Sequence, residues 1–185
     1  VVETVRVPLV IDSPPPWVTI VGIGGALGSG TSTLAGLLKE QFGPERCVVI
    51  DADDYFLRED VHSLVHRLRG IRSSNASGAA PSDILVLVQG SVLLVTSLLH
   101  ELLDVKVFID VPSGVLAARM QVGDLDAHSS TLRRSVQSLG AAIEGDSDMY
   151  ARSADIILDG LSLSALDSKV VWGAIRAASS RGTLG

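Results

Sequence analysis

The sequence of 185 residues is poor in several things, and each scarcity removes a class of answer. There is one cysteine, Cys47, so no disulfide can form within the chain. Cys47 stands in the apolar run Cys47-Val-Val-Ile50, which predicts a buried core thiol and, with no disulfide framework, a cytoplasmic setting. Basic residues are few: 15 Lys and Arg stand against 21 Asp and Glu, for a net charge of −6. A nucleic-acid surface needs a basic face that releases counterions from phosphates, so no nucleic-acid partner is expected. No apolar stretch is long enough to cross a bilayer. The longest, Ser91 to Leu103, is interrupted by His100-Glu101 and predicts a buried helix instead of a membrane span. No charged segment with a cleavage site opens the chain, so no signal peptide is expected. Lysine is the scarcest cation, with only Lys39, Lys106 and Lys169 present. That scarcity returns at the most informative motif.

What is present is a chain with 46% apolar residues, enough for one domain with a full core. Residues 1–16 end in Ser-Pro-Pro-Pro, which is stiff and extended, and read as an N-terminal arm or edge strand ahead of a domain over 17–185. Five short runs predict buried strands: Trp17–Gly22, Cys47–Ile50, Ile84–Val88, Val105–Val111 and Ala154–Leu158. Helical spacing predicts helices over 33–42, 59–69 and 165–178, with one more opening at Ser91 and another opening at Pro112. Gly43-Pro44 stops the first helix, and Ser73 to Ser82 reads as a flexible loop. Strands alternating with helices predict an α/β fold, a mostly parallel five-stranded sheet covered on both faces in three layers.

Between the first strand and first helix lies Gly25-Ala-Leu-Gly28-Ser29-Gly30-Thr31-Ser32. This is the frame of a phosphate-binding loop, G-x-x-x-x-G-[K]-[ST], with Thr31 in the lysine position. A glycine loop between strand and helix forms a nest of backbone N–H groups, and the helix dipole adds to its attraction for anions. Gly25, Gly28 and Gly30 let the backbone approach a phosphate, while Ser29, Thr31 and Thr33 complete the nucleotide-binding segment. Ser32 supplies the hydroxyl expected to hold Mg²⁺. The lysine would reach the outer phosphates; Thr31 can form hydrogen bonds but brings no charge. The plain alternative is a glycine-rich turn with no ligand.

From these residues the chain resembles the uridine kinase and nicotinamide riboside kinase group of P-loop kinases. Four segments carry the resemblance. They are Thr19 to Ala35 around the loop; Val48-Val-Ile-Asp-Ala-Asp53-Asp54-Tyr-Phe56; Ile84-Leu-Val-Leu-Val-Gln89-Gly90; and Val107-Phe-Ile-Asp-Val-Pro112 paired with Arg152-Ser-Ala-Asp-Ile-Ile-Leu158. They occur in the family's order across most of Trp17 to Gly160. The resemblance implies the P-loop kinase fold, ATP and Mg²⁺, a small-molecule acceptor of nucleoside type, and a catalytic aspartate at Asp53 that takes or orients the acceptor's proton. It also implies a lid arginine, for which Arg119 stands in place. Read without the family, Asp51, Asp53 and Asp54 are either a solvated acidic loop or a site at the end of a strand.

Three further departures accompany Thr31. Gln89 stands where the family has glutamate. The lid keeps Arg119 and little else, with Arg133 and Arg134 downstream. Only about 30 residues separate the acidic run from Gln89, where the family has a longer substrate segment. That shortened stretch holds His62, His66, Arg67, Arg69 and Arg72. The histidines have i, i+4 spacing that could hold a metal, but no third ligand is evident. The arginines suit either a substrate anion or the negative end of a helix. Trp17 and Trp172 read as packing residues. The function expected is an ATP-dependent small-molecule kinase-like protein. The alternative is a weak or inactive relative serving as a nucleotide-binding or regulatory module. The oligomeric state is left open.

Overall fold

A computed structural model describes residues 17–76, 83–91, 93–122 and 151–181 of the chain. The arm over 1–16, most of the predicted loop before Asp83, and Arg133 and Arg134 lie outside the described residues. The strands are β1 (Val18–Gly25), β2 (Cys47–Asp51), β3 (Ile84–Gly90), β4 (Val105–Asp110) and β5 (Ile156–Asp159). The helices are α1 (Thr31–Phe42), α2 (Asp53–Leu57), α3 (Val61–Ala76), α4 (Ser97–His100), α5 (Ser113–Val122) and α6 (Ala165–Arg181), the last carried as far as its final described residue. Among the described residues no helix is long and apolar enough to cross a membrane.

The five strands form one sheet in the order β2-β3-β1-β4-β5, and every pairing is parallel. The sheet is therefore wholly parallel. Alternate side chains of each strand face opposite layers, and both layers are apolar, which explains runs without polar alternation. On one face Val21, Ile23, Leu85, Leu87, Val107 and Ile109 pack against α1, α5 and α6 through Leu34, Leu38, Leu116, Val171 and Ile175. On the other, Ile20, Val86, Val88 and Phe108 pack against Leu64 and Leu68 of α3 and against Leu93, Leu94, Leu99 and Leu103.

Several boundaries differ from the sequence reading. The single helix expected from Ser91 is broken into a 3₁₀ turn, Leu93–Val95, and the short α4. Thr96 between them is extended (φ −87°, ψ 101°), and β-branched Val95 and Thr96 are weak helix formers. The break lets Leu94 and Leu103 press on β1, where Gly24 and Gly22 leave room. A Cβ at Gly24 would lie 2.7 Å from Leu94 Cγ, and one at Gly22 2.6 Å from Leu103 Cδ1. The ring of His100 takes the Leu94 carbonyl that the break exposes. Asp53 and Asp54 do not sit in a loop but form the first turn of α2, where the helix dipole favours acids. Thr31 and Ser32 belong to α1, and α3 runs on to Ala76 through residues expected to be loop. Gly43 ends α1 as expected, its N–H donating to the Lys39 carbonyl with φ at 114°.

A candidate phosphate and acceptor site

Parallel pairing brings the carboxyl ends of all five strands to one edge, where ligands of open α/β sheets bind. Gly24 is paired with Gly90, Asp51 with Gln89, and Asp110 with Asp159. The residues singled out in sequence thus converge on one rim from three directions: the loop after β1, the acids after β2, and Gln89 in β3.

The loop after β1 has the conformation that its glycines predict. Gly28 and Gly30 have φ of 85° and 108°, a region that side chains disfavour. Ser29 N–H closes a turn on the Ala26 carbonyl at 2.9 Å, and α1 begins with Leu34 N–H on the Gly30 carbonyl at 3.0 Å. No side chain caps α1 at Gly30, and no acid occupies its first turn. A helix start with no capping side chain and no acid is suited to an anion. Thr31 is half-buried at the first position of α1, while Ser32 and Thr33 are exposed beside it.

The loop is also held from above. The turn after β5 lies against it: a Cβ on Gly160 would fall 2.9 Å from the Ser29 carbonyl oxygen, and one on Gly30 would fall 2.5 Å from Leu163 Cδ1. Arg119, from α5, fastens the two together. Its Nη1 donates to the Gly28 carbonyl at 3.0 Å and its Nη2 to the Gly160 carbonyl at 2.8 Å. The guanidinium therefore sits on the rim and touches the phosphate loop, but both named bonds go to backbone carbonyls. Ser29 Oγ is buried, crowds the α-carbon of Gly25, and has no hydrogen-bond partner among the described residues.

The acidic side of the rim is ordered by Ser91, which the sequence reading passed over. Its N–H reaches both carboxylate oxygens of Asp53, at 2.9 and 3.1 Å, and its hydroxyl lies 3.2 Å from each. Gly90 makes this possible, since a Cβ there would stand 2.8 Å from Asp53 Oδ1. Asp51 Oδ1 accepts the Asp53 N–H at 2.9 Å, and Ala52 N–H donates to the Gln89 carbonyl at 2.7 Å. Gln89 Nε2 points at Asp51 Oδ2 from 3.5 Å, and its Oε1 is buried with no partner among the described residues. A glutamate in this place would set two carboxylates against each other; an amide turns its N–H₂ to Asp51. The only sequence signal for Ser91 is its place next to Gly90 at the end of a buried strand.

Other candidates take other partners or face solvent. Arg72 donates to the Leu102 carbonyl at 3.0 Å and pairs with Asp104 at 2.8 Å. Asp104 in turn accepts the Ile20 N–H at 2.7 Å, so this pair ties α3 to the start of β4 and the early part of β1, away from the rim. Arg67 donates to the Tyr55 hydroxyl at 2.8 Å and joins α3 to α2. His62 and His66 are exposed on α3. Among the described residues no group of three potential metal-binding His, Cys, Asp or Glu occurs.

No family model matches the chain. Its sequence is similar to curated uridine kinases. It is 26% identical to that of Halalkalibacterium halodurans over 155 residues, covering 64% of this chain and 72% of the relative. It is 22% identical to that of Geobacillus kaustophilus over 194 residues, covering 82% and 91%. Among solved structures, shikimate kinase from Acinetobacter baumannii, in complex with shikimate, matches with a TM-score of 0.51. The match covers 86% of this chain and 94% of that one at 16% identity, a likeness of fold.

Proposed function

We propose that this chain, with the fold of the P-loop kinases and a sequence similar to uridine kinases, binds ATP at its phosphate loop and passes the γ-phosphoryl group to the hydroxyl of a small, nucleoside-type acceptor. The observation that carries the reading is the shared rim. The uncapped α1 start with two left-handed glycines follows β1, and the carboxylate of Asp53, which follows β2, is held by Ser91 at the end of β3, the strand between them.

The residues present fit the groups implied. Gly25 to Thr33 offer backbone N–H groups and hydroxyls to phosphates, and Ser32 is the hydroxyl that would hold Mg²⁺. Bound Mg²⁺ would supply charge neutralisation on the phosphates. Asp53 would accept the acceptor's proton, with its carboxylate oriented by the Ser91 N–H and hydroxyl. In the transfer, the acceptor oxygen bonds to phosphorus, the bond to the β-phosphate oxygen breaks, and ADP leaves. Arg119 would act by fixing the loop and by placing a cation beside it.

A second reading is favoured by Thr31 and Gln89. Both remove charge from the step that transfers the phosphoryl group, and loss of one preorganised donor lowers rate by about 10²–10³. In that reading the rim binds nucleotide without turnover. Calorimetry with Mg·ATP beside an ADP-release assay over a panel of nucleosides and small hydroxy acids separates the two. Binding with acceptor-dependent ADP release supports transfer, binding alone supports the second reading, and no binding at millimolar ATP removes both.

A further inference from the structure

A concavity opens at the edge of the sheet opposite the rim. Its volume is about 560 Å³, and its walls include Trp17, Phe42 and Trp172 with Arg46, Arg176 and Asp83. Trp17 directly precedes β1 and Asp83 directly precedes β3, so the cavity lies at the amino ends of the strands. The 8 residues of β1 rise roughly 3.3 Å each, which sets the cavity roughly 20–25 Å from the phosphate loop. It belongs to neither the loop nor Asp53.

The walls are aromatic and cationic. Phe42 packs on both tryptophans, with ring centroids 5.7 Å from Trp17 and 5.5 Å from Trp172, at tilts of 49° and 55°. Both tryptophans are only half-buried, so each presents ring surface beyond its packing against Phe42. The two cations differ. Arg46 stands over the Phe42 ring at 4.7 Å and donates to the Phe42 carbonyl at 3.2 Å, closing the end of α1. Arg176 is exposed on α6 and has no ion-pair partner among the described residues. Among the described residues Asp83 is the one carboxylate in the wall, and its Oδ1 accepts the Trp17 backbone N–H at 3.2 Å. A cavity of this size with aromatic walls and an uncommitted guanidinium has the make-up of a small-molecule site.

We propose that this cavity is a binding site for a planar aromatic anion, its ring against Trp17 and Trp172 and its carboxylate or phosphate on Arg176. The ring needs the apolar walls, and the charge needs the guanidinium, whose fork matches either oxyanion. The site is separate from the phosphate loop and its occupancy does not depend on the kinase reading.

The chain offers a direct probe, because its only two tryptophans are Trp17 and Trp172. Their emission in the full chain is followed while titrating UMP, benzoate, uridine and inorganic phosphate. UMP or benzoate is expected to change the emission saturably, with Arg176→Ala weakening the apparent affinity about tenfold or more. Ser32→Ala, in the phosphate loop, is expected to leave that titration unchanged. No saturable response to either aromatic anion overturns the proposal, as does a response that Arg176→Ala leaves intact. Equal affinity for uridine or inorganic phosphate alone also overturns it, since ring and charge would then not act together. Loss of the response in Ser32→Ala would assign the signal to the phosphate loop and likewise overturn it.

Discussion

Arg119 Nη1 donates to the carbonyl of Gly28 at 3.0 Å, so a guanidinium is bonded to the very loop whose lysine position holds threonine. The other arm of the fork holds Gly160 at 2.8 Å. A residue expected to close over phosphates as a lid thus has its named bonds to the backbone that would cradle them. Arg119→Ala is expected to lower stability by about 1–2 kcal/mol, since charged donors to two carbonyls are lost from a half-buried site. It should also weaken Mg·ATP binding. Arg119→Lys should recover little, because a single ammonium lacks the fork that spans both carbonyls. Thermal unfolding and calorimetry on the three proteins check this; full recovery by lysine would show that charge alone matters.

Asp53 and Ser91 give a second prediction. Asp53→Ala leaves the Ser91 N–H and hydroxyl without their acceptor, and should cost about 1–3 kcal/mol. Ser91→Ala removes only the hydroxyl contact and should cost less. On the kinase reading, Asp53→Ala abolishes acceptor-dependent ADP release while leaving Mg·ATP affinity within about twofold, because the carboxylate serves the acceptor and not the nucleotide. Parallel denaturation and ADP-release measurements distinguish the structural role from the chemical one.

Much of this was legible in the sequence, and the failures have physical causes. The five strands stand out because a parallel sheet covered on both faces makes its strands largely apolar, even though Lys106 interrupts β4 and the edge strands β2 and β5 are partly exposed. The glycine loop is legible because two of its positions require positive φ. The region after Gly90 misleads for the same kind of reason: its leucines are buried, but against a β1 surface carrying Gly22 and Gly24, and that close approach breaks the helix. Ser91 is invisible because its importance lies in a contact with Asp53, 38 positions away. Arg119 was legible as a cation near the loop, whereas its carbonyl partners depend on where the β5 turn returns. Arg72, which with Arg67 and Arg69 suited either a substrate anion or the negative end of a helix, is instead paired with Asp104 just before β4.

Cys47 begins β2 and is buried, and burial pushes its thiol up to about 11 from 9.0, with Lys39 opposing the shift weakly. Because the folded value is raised, this group's contribution to stability is fully present below the unfolded value of 9.0 and is lost as pH rises towards about 11. Native protein at neutral pH should therefore resist alkylation by iodoacetamide, and labelling should track unfolding in denaturant. Rapid labelling of the folded chain would contradict the buried-thiol placement.

The amino end of α6 carries a reciprocal cap. Asp167 Oδ2 accepts the Ser164 N–H at 2.8 Å and the Ser164 hydroxyl at 2.7 Å, while Ser164 Oγ accepts the Leu166 N–H at 3.2 Å. The Ser164 hydroxyl, and then its N–H, hold the Asp167 carboxyl below its ordinary 3.8. A depressed value means the cap's contribution is present above the unfolded value and is lost as pH falls through the folded one. Ser164→Ala should cost about 1 kcal/mol at neutral pH. Asp167→Asn should flatten the acid limb of the stability profile below pH 3.8, measured by denaturant melts across that range.

Nucleotide binding at the glycine loop is tested by calorimetric titration of the full chain with Mg·ATP, run beside Gly30→Val and Thr31→Lys. The native chain is expected to bind saturably. That binding should be lost in Gly30→Val, whose side chain meets both a φ of 108° and Leu163. Binding should tighten by about tenfold or more in Thr31→Lys, where a cation is placed in the loop. No heat with the native chain at millimolar Mg·ATP, or an affinity that Gly30→Val leaves unchanged, would contradict nucleotide binding at the loop.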